Sequence, residues 1–255
     1  MKLARFAHAG QIKYGLVEEE NGAEYLRELP DGPFGELRPA GERIPVAQVV
    51  LLAPCMPTKI VAVGLNYVDH AREIGMTIPE EPIIFMKPLS TLIGPGGIIR
   101  YPAMSRRVEY EGELAIVIKD ATRDVRPEEA RKHILGYSCY NDVTARDLQK
   151  KDGQWTRAKS FNTFGPLGPI ITDEVDPDNV PLSLFVNGQK RQSSSTSNFI
   201  FPVARVVSFI SQIMPLYPGD VIATGTPPGV GELKPGDEVE VFIEGIGRLR
   251  NQVAG

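Results

Sequence analysis

Cysteine is scarce: Cys55 and Cys139 stand far apart in a chain of 255 residues. Neither belongs to a CxxC pair, so a zinc ribbon, a redox pair and a disulfide scaffold are all disfavoured, and a reducing cytoplasm is the expected location. Long apolar runs are missing too. No stretch approaches the ~20 residues a membrane helix needs. The opening "MKLARFAHAG" is broken by Arg5 and His8 before it could serve as a signal segment. Excess positive charge is also absent, with 28 basic against 32 acidic residues and no basic run longer than "RKH" at 131–133. Nucleic acid is therefore not an expected partner. No G-x-G-x-x-G follows a strand and no G-K-[ST] ends a glycine loop, so a nucleotide cofactor is not indicated.

Glycine and proline are plentiful, at 25 and 22 residues. They punctuate a series of short apolar runs that read as strands: "KYGLVEE", "VAQVVLL", "KIVAV", "PIIFMK", "ELAIVI", "GYSCYN", "GPIIT", "LSLFVNGQKR", "DVIATG" and "DEVEVFIEGIGRLRN". Asn187-Gly188 is a hairpin signal, and Glu244-Gly245 marks a second turn. Helices are few. "PEEARKHIL" has Pro127 at its first position and Gly136 beyond its end. "FPVARVVSFISQIM" spaces Val203, Val206, Val207, Ile210 and Ile213 at helical period. Strands so often lacking an intervening helix argue for a β-rich mixed domain of curled or sandwiched sheets. "APCMPT" is a joint, because Pro54 and Pro57 restrict the backbone there. It separates a small β-rich N-terminal domain, 1–55, from a main domain, 56–255. The polar "QKRQSSSTSN", 189–198, reads as a mobile loop beyond a hairpin.

"VEYEGELAIVI", 108–118, sets Glu109, Glu111 and Glu113 at alternate positions, on one face of a strand. An exposed edge would tolerate them. Alternatively, carboxylates converging on a hard cation would relieve their repulsion. Asp142 and Asp147 in "YNDVTARDLQ" are candidates for a third ligand, with helix N-cap and surface ion pair as the plainer roles. Among three histidines, His70 in "GLNYVDHAREIG" has Glu73 at i+3 if that stretch is helical, a pairing that suits a general base but by itself reads first as an exposed ion pair. His8 and His133 have no such partner and read as surface residues. Lys159 lies in the turn-like "WTRAKSFNTFGPLGP", which has no acidic residue, and a desolvated ammonium there could balance an anion. "ATGTPPGVG", 223–231, is a rigid turn or an oxyanion cradle offering the Thr226 hydroxyl.

In order, "GLNYVDHAREIG", "EYEGELAIVI", "NDVTARDLQ", "WTRAKSFNTFGPLGP", "VNGQKRQSSSTSNFIF" and "PGDVIATGTPPGVG" resemble the fumarylacetoacetate hydrolase family across residues 58–251. Residues 1–50 carry little of the match. The resemblance implies an α+β, β-rich fold: a mixed β-sandwich roll with the small N-terminal β-rich domain attached, paired as a homodimer. It implies Mg²⁺ or Mn²⁺ held by Glu111, Glu113 and Asp142, with Glu109 outside the motif. His70 and Glu73 resemble the dyad on a short lid helix that activates water, and Lys159 the family's active-site lysine. Arg146, Gln149 and Thr226 match positions that hold the carboxylate end of a small-molecule 2-oxo acid substrate.

The implied activity is hydrolysis of a carbon-carbon bond in a 2,4-dioxo acid of the acylpyruvate type, through an enolate. The alternative is decarboxylation of oxaloacetate, or isomerisation of a 2-hydroxyhepta-2,4-diene-1,7-dioate-type intermediate of aromatic catabolism. A metal-stabilised binding scaffold is a third reading, which gives no reason for the His70–Glu73 pair. The chain is shorter than animal fumarylacetoacetases and is nearest the small bacterial-type members. Phe199 and Phe201 are expected near the pocket, and "MTIPEEP", 76–82, reads as a flap or a surface loop.

Overall fold

Leu114 to Ile118 is apolar at every position because its strand is covered on both faces. Leu114, Ile116 and Ile118 enter one core, and Ala115 and Val117 another. That is the period-two alternation of a strand with no solvent side. The structure is a computed structural model and describes residues 1–73 and 75–255.

Four strands, β1 (Lys2–His8), β2 (Gln11–Glu20), β3 (Ala23–Glu28) and β4 (Ala40–Pro45), form an antiparallel meander, and β5 (Val50–Leu51) pairs with β1. Then come β6 (Ile60–Val63), α1 (Val68–Glu73), β7 (Ile84–Lys87), β8 (Leu92–Ile93), β9 (Ile98–Arg100), β10 (Val108–Tyr110) and β11 (Gly112–Ile118). After α2 (Pro127–Ala130) follow β12 (Ile134–Asn141), β13 (Thr144–Ala145), α3 (Arg146–Asp152), α4 (Thr156–Lys159) and β14 (Gly165–Thr172). The last part comprises β15 (Pro181–Val186), β16 (Gln189–Ser195), α5 (Val203–Ile213), β17 (Val221–Ala223), β18 (Gly231–Leu233), β19 (Glu238–Ile243) and β20 (Gly247–Ala254).

These strands make three sheets. The main one runs β4-β3-β2-β1-β14-β12-β11-β17-β6-β7, a five-stranded one runs β16-β15-β19-β20-β9, and β13-β10-β18 forms a small third. Apolar residues of the main and five-stranded sheets share one core with α5, through Ile116 and Val61, Leu184 and Val241, and Val206 and Ile210. The opposite face of the main sheet holds a second core, where Ala115, Val117 and Ile60 meet Leu3 and Leu29 from the N-terminal segment. The result is the expected β-rich α+β architecture, its N-terminal strands joined to the main sheet through β1 and β14. Among the described residues, no helix is long and apolar enough to cross a membrane.

Three local expectations are corrected. "PEEARKHIL" is one helical turn and a 3₁₀ turn, and its last two residues already belong to β12. Pairing of Ile134 with Ile118 and burial of Leu135 outweigh helix propensity there. "QKRQSSSTSN" is no free loop: β16 pairs with β15 from Pro181↔Ser195 to Val186↔Gln189, and Gln192 is buried. Its exposed residues are those of a strand at the sheet's margin. Ile213, read as core, ends α5 and is 54% exposed. At the β15–β16 hairpin, Asn187 and Gly188 both adopt positive φ, 51° and 75°, as a two-residue primed turn requires.

Buried Asn66 ties three segments together. Its Nδ2 donates to Thr224 O at 2.8 Å and Phe201 O at 3.3 Å, and its Oδ1 accepts from Phe201 N at 2.8 Å. Asn66→Ala leaves these backbone groups unpaired in the interior, at a cost of about 1–3 kcal/mol. A lower midpoint in urea unfolding with an unchanged slope is the expected result.

Candidate active site

Strand register brings the acids together. Gly112 stands opposite Asn141 and Glu113 opposite Tyr140, so the chain leaving β12 meets the chain entering β11. Asp142 N donates to Glu111 O at 2.9 Å, and Glu111 N donates to Asn141 Oδ1 at 3.0 Å. Carboxylate oxygens of Glu111, Glu113 and Asp142 all lie within 4.8 Å of one another, and all three residues are buried. Glu109 is not with them. The chain passes from the small sheet to the main sheet at Glu111, which breaks the simple alternation. Glu109 is buried instead between Arg107 Nε and Arg146 Nε, each at 2.6 Å.

Basic groups thread this cluster. Arg146 bonds both Glu109 and Glu111, and Lys159 from α4 donates to Glu111 Oε2 at 2.7 Å and Asp142 Oδ2 at 2.6 Å. Lys87, at the end of β7, reaches Asp142 Oδ1 at 2.5 Å and Val143 O at 3.3 Å. Sequence reasoning missed Lys87. Nothing in "PIIFMK" distinguishes a buried lysine from one capping a strand, and only the pairing of β6 with β7 carries it inward.

Among the described residues, Glu113 has no basic hydrogen-bond partner and accepts only Gly225 N, at 2.9 Å. Burial, then the charges of Asp142 and Glu111, raises its pKa well above the usual carboxylate range. Burial pushes Glu111 the same way, but Lys159 and Arg146 overcome it and hold the group at about 2. Lys159 is desolvated as well, yet Asp142 and Glu111 raise its pKa, whereas Lys87 is lowered, chiefly by burial.

This donor set fits a hard divalent cation. Oxygen ligands about 2.1 Å from Mg²⁺ lie roughly 3 to 4 Å apart, a spacing the clustered carboxylates can adopt. The cation would also supply the positive charge that Glu113 lacks. Nearby, the Tyr67 hydroxyl is buried with no hydrogen-bond partner among the described residues. Among those residues, no other group of three or more His, Cys, Asp or Glu side chains gathers closely enough to share a metal ion.

The stretch 64–75 contributes α1, with Ile74 outside the described residues. His70 Nδ1 lies 2.9 Å from Glu73 Oε2, and Glu73 Oε1 accepts Gly229 N at 3.1 Å, so the dyad rests on the 223–231 loop. His70, Arg107, Glu109, Arg146, Gln149, Lys150 and Val230 line a cavity of about 330 Å³. Gln149 Oε1 accepts from Arg146 Nη1 at 2.6 Å. The Thr226 hydroxyl donates to Gly112 O at 3.0 Å and accepts from Gln192 Nε2 at 2.9 Å. Phe199 packs edge-on against Tyr67, with ring centroids 4.9 Å apart. Asp147 is not an ion-pair partner of Arg146: it accepts from Ser105 Oγ at 2.6 Å and Arg106 N at 3.0 Å. His133, without an acidic partner at helical spacing, meets Asp120 Oδ1 at 2.6 Å from across the β11–β12 connection.

Residues 59–254 match the family model "fumarylacetoacetate (FAA) hydrolase C-terminal", and residues 1–54 match "Rv2993c-like, N-terminal". The fold is similar to a solved 5-carboxymethyl-2-hydroxymuconate delta-isomerase from Mycobacterium smegmatis, with TM-score 0.94 and 45% identity over 100% of this chain and 99% of that one. A 2,4-didehydro-3-deoxy-L-rhamnonate hydrolase of Sphingomonas sp. is 40% identical, covering 100% of this chain and 96% of its own. The mitochondrial oxaloacetate tautomerase FAHD2A of Bos taurus is 42% identical over 82% of this chain and 71% of its own.

Proposed function

The chain belongs to the fumarylacetoacetate hydrolase family, and from that premise we propose that it is a divalent-metal-dependent hydrolase cleaving a carbon-carbon bond in a 2,4-dioxo acid of the acylpyruvate type. The observation that carries the reading is the convergence of Glu111, Glu113 and Asp142 in the interior, close to a cavity that His70 lines.

Glu111, Glu113 and Asp142 would hold Mg²⁺ or Mn²⁺. Bound there, the ion supplies Lewis-acid polarisation of the oxygens of a 2-oxo acid. With Nδ1–H donated to Glu73, His70 Nε2 is the basic nitrogen, and the carboxylate steadies the imidazolium that forms. His70 takes a proton from water, whose oxygen attacks C4. The C3–C4 bond then breaks, its electron pair passing to the pyruvate fragment as an enolate, and the imidazolium returns its proton to C3. Lys159 presents a fixed positive charge toward that enolate. Arg146, oriented by Glu109 and Gln149, holds the substrate carboxylate, with Gln149 and Thr226 adding polar contacts.

A second reading uses the same enolate without hydrolysis, as an isomerase or decarboxylase. It is favoured by the side chain of His70 being only 12% exposed, which suits a base passing protons within a bound substrate as well as one serving water. The names of the Mycobacterium isomerase and the Bos taurus tautomerase support it. A homodimer, the division at 55/56 and a cytoplasmic location belong to the main reading, the last supported by two buried free cysteines.

Purified protein with Mg²⁺ or Mn²⁺ is to be assayed on acetylpyruvate, oxaloacetate and a 2-hydroxyhepta-2,4-diene-1,7-dioate. Cation-dependent release of pyruvate from acetylpyruvate is the expected result. No turnover of acetylpyruvate beside rapid consumption of either other compound rejects the hydrolase reading in favour of the second.

A further inference from the structure

We infer that Gln192 is a positioning residue that holds the carboxylate-bearing strand and the loop beneath the His70–Glu73 dyad in one frame. The inference rests on Glu111, Glu113 and Asp142 being a cation site. It goes beyond that reading by assigning a role to a side chain that touches neither the carboxylates nor the dyad.

Gln192 is 1% exposed, and its amide makes three hydrogen bonds. Oε1 accepts from Gly112 N at 2.9 Å, while Nε2 donates to Thr226 Oγ1 at 2.9 Å and to Pro227 O at 2.8 Å. Thr226 Oγ1 donates in turn to Gly112 O at 3.0 Å. The peptide groups on either side of Gly112 are thus clamped by one closed ring of hydrogen bonds, and Gly112 is the residue between Glu111 and Glu113. Gly112 leaves little room for a side chain, since a Cβ would stand 3.1 Å from Leu184 Cδ1 and 3.2 Å from Gln192 Oε1, and either neighbour would have to give way.

The other end of the ring reaches the dyad. Pro227 is two residues before Gly229, whose N–H holds Glu73. Gly229 has φ +92°, and a Cβ there would meet Arg191 O at 2.5 Å, so β16 lies directly under the loop. A buried amide with all its partners fixed is rigid, because each lost bond leaves a desolvated backbone group unpaired. Groups that orient metal ligands in this way typically govern affinity by about 10- to 100-fold.

The test is Mn²⁺ titration by calorimetry, which needs no substrate. Gln192→Met keeps length and apolar bulk but removes donor and acceptor, and it is expected to weaken Mn²⁺ binding by about tenfold or more. Asn251→Leu is the control. Asn251 is equally buried in the same sheet and bonds Gly94 O and Gly97 O, both at 2.9 Å, away from the site. It should lower the unfolding temperature while leaving Mn²⁺ affinity unchanged.

Should Gln192→Met fail to fold, Gln192→Glu decides. Its added negative charge would by itself tighten cation binding, so weaker binding points to the lost donors. Wild-type affinity in the folded Gln192 variant, or a matching loss in Asn251→Leu, overturns the inference alone. Absence of Mn²⁺ binding by the wild-type protein overturns the cation site and this inference with it.

Discussion

His70→Ala is expected to lower turnover by about 10²- to 10⁴-fold, the range that general-base catalysis contributes, while Mn²⁺ affinity stays at the wild-type value. The two effects separate because His70 bonds Glu73 and not the three acids, whose own contacts run to Lys87, Lys159, Arg146 and Gly225. Glu73→Gln should lose less. It keeps an acceptor for Nδ1–H but withdraws the charge that steadies the imidazolium formed in the reaction. Steady-state assays on acetylpyruvate beside calorimetric Mn²⁺ titration check both variants. Undiminished turnover by His70→Ala would remove the proposed base.

The second large effect concerns Glu113, and it has two opposite signs. Without a divalent cation, Glu113→Gln is expected to unfold at a higher temperature than the wild type near neutral pH, since it deletes a buried carboxylate that faces Asp142 and Glu111. With Mn²⁺ at about 100 times the dissociation constant, the wild type gains about 2.7 kcal/mol, or about 5–10 °C for a chain of this size. The variant gains little.

Linkage gives the pH dependence. Folded Glu113 binds its proton more tightly than an unfolded carboxylate of ordinary pKa 4.5. Stability from this group is therefore complete below about 4.5 and is lost as pH rises through the raised folded value. Glu111 works the other way: its contribution is present above 4.5 and is lost as pH falls through about 2. Because a cation must displace the Glu113 proton, the Mn²⁺-induced rise in melting temperature should grow with pH. A rise that shrinks with pH, or an equal rise in Glu113→Gln, would remove Glu113 from the ligand set.

What the sequence discloses follows the range of the interactions involved. The strand at 112–118, the hairpin at Asn187-Gly188 and α5 within 201–214 are written in local periodicity and turn chemistry, and each forms within a residue or two of its expected place. Glu111 and Glu113 could be singled out as neighbours in the chain. That Asp142 meets them required the resemblance, because only the β11–β12 register makes them adjacent.

Lys87 and Gln192 stayed hidden for the same reason. One is a lysine at a strand end and the other a glutamine in a polar run, and each is buried only by partners far along the chain, at Asp142, Thr226 and Pro227. Strand 134–141 was misread at its start, where a propensity signal of a few tenths of a kcal/mol per residue competes with the pairing and burial of a whole strand edge.

Strands β1 to β5 were introduced as an N-terminal addition, yet β1 is hydrogen-bonded to β14 through Lys2↔Thr172 and Leu3↔Ile171. An appendage that lends a rib to its host cannot be cut away cleanly. Removing it would strip Leu3 and Leu29 from the apolar layer behind β11 and leave the backbone of β14 as a raw margin, open to whatever extended chain drifts past. The stickiness of a truncated protein would then reflect that missing seam.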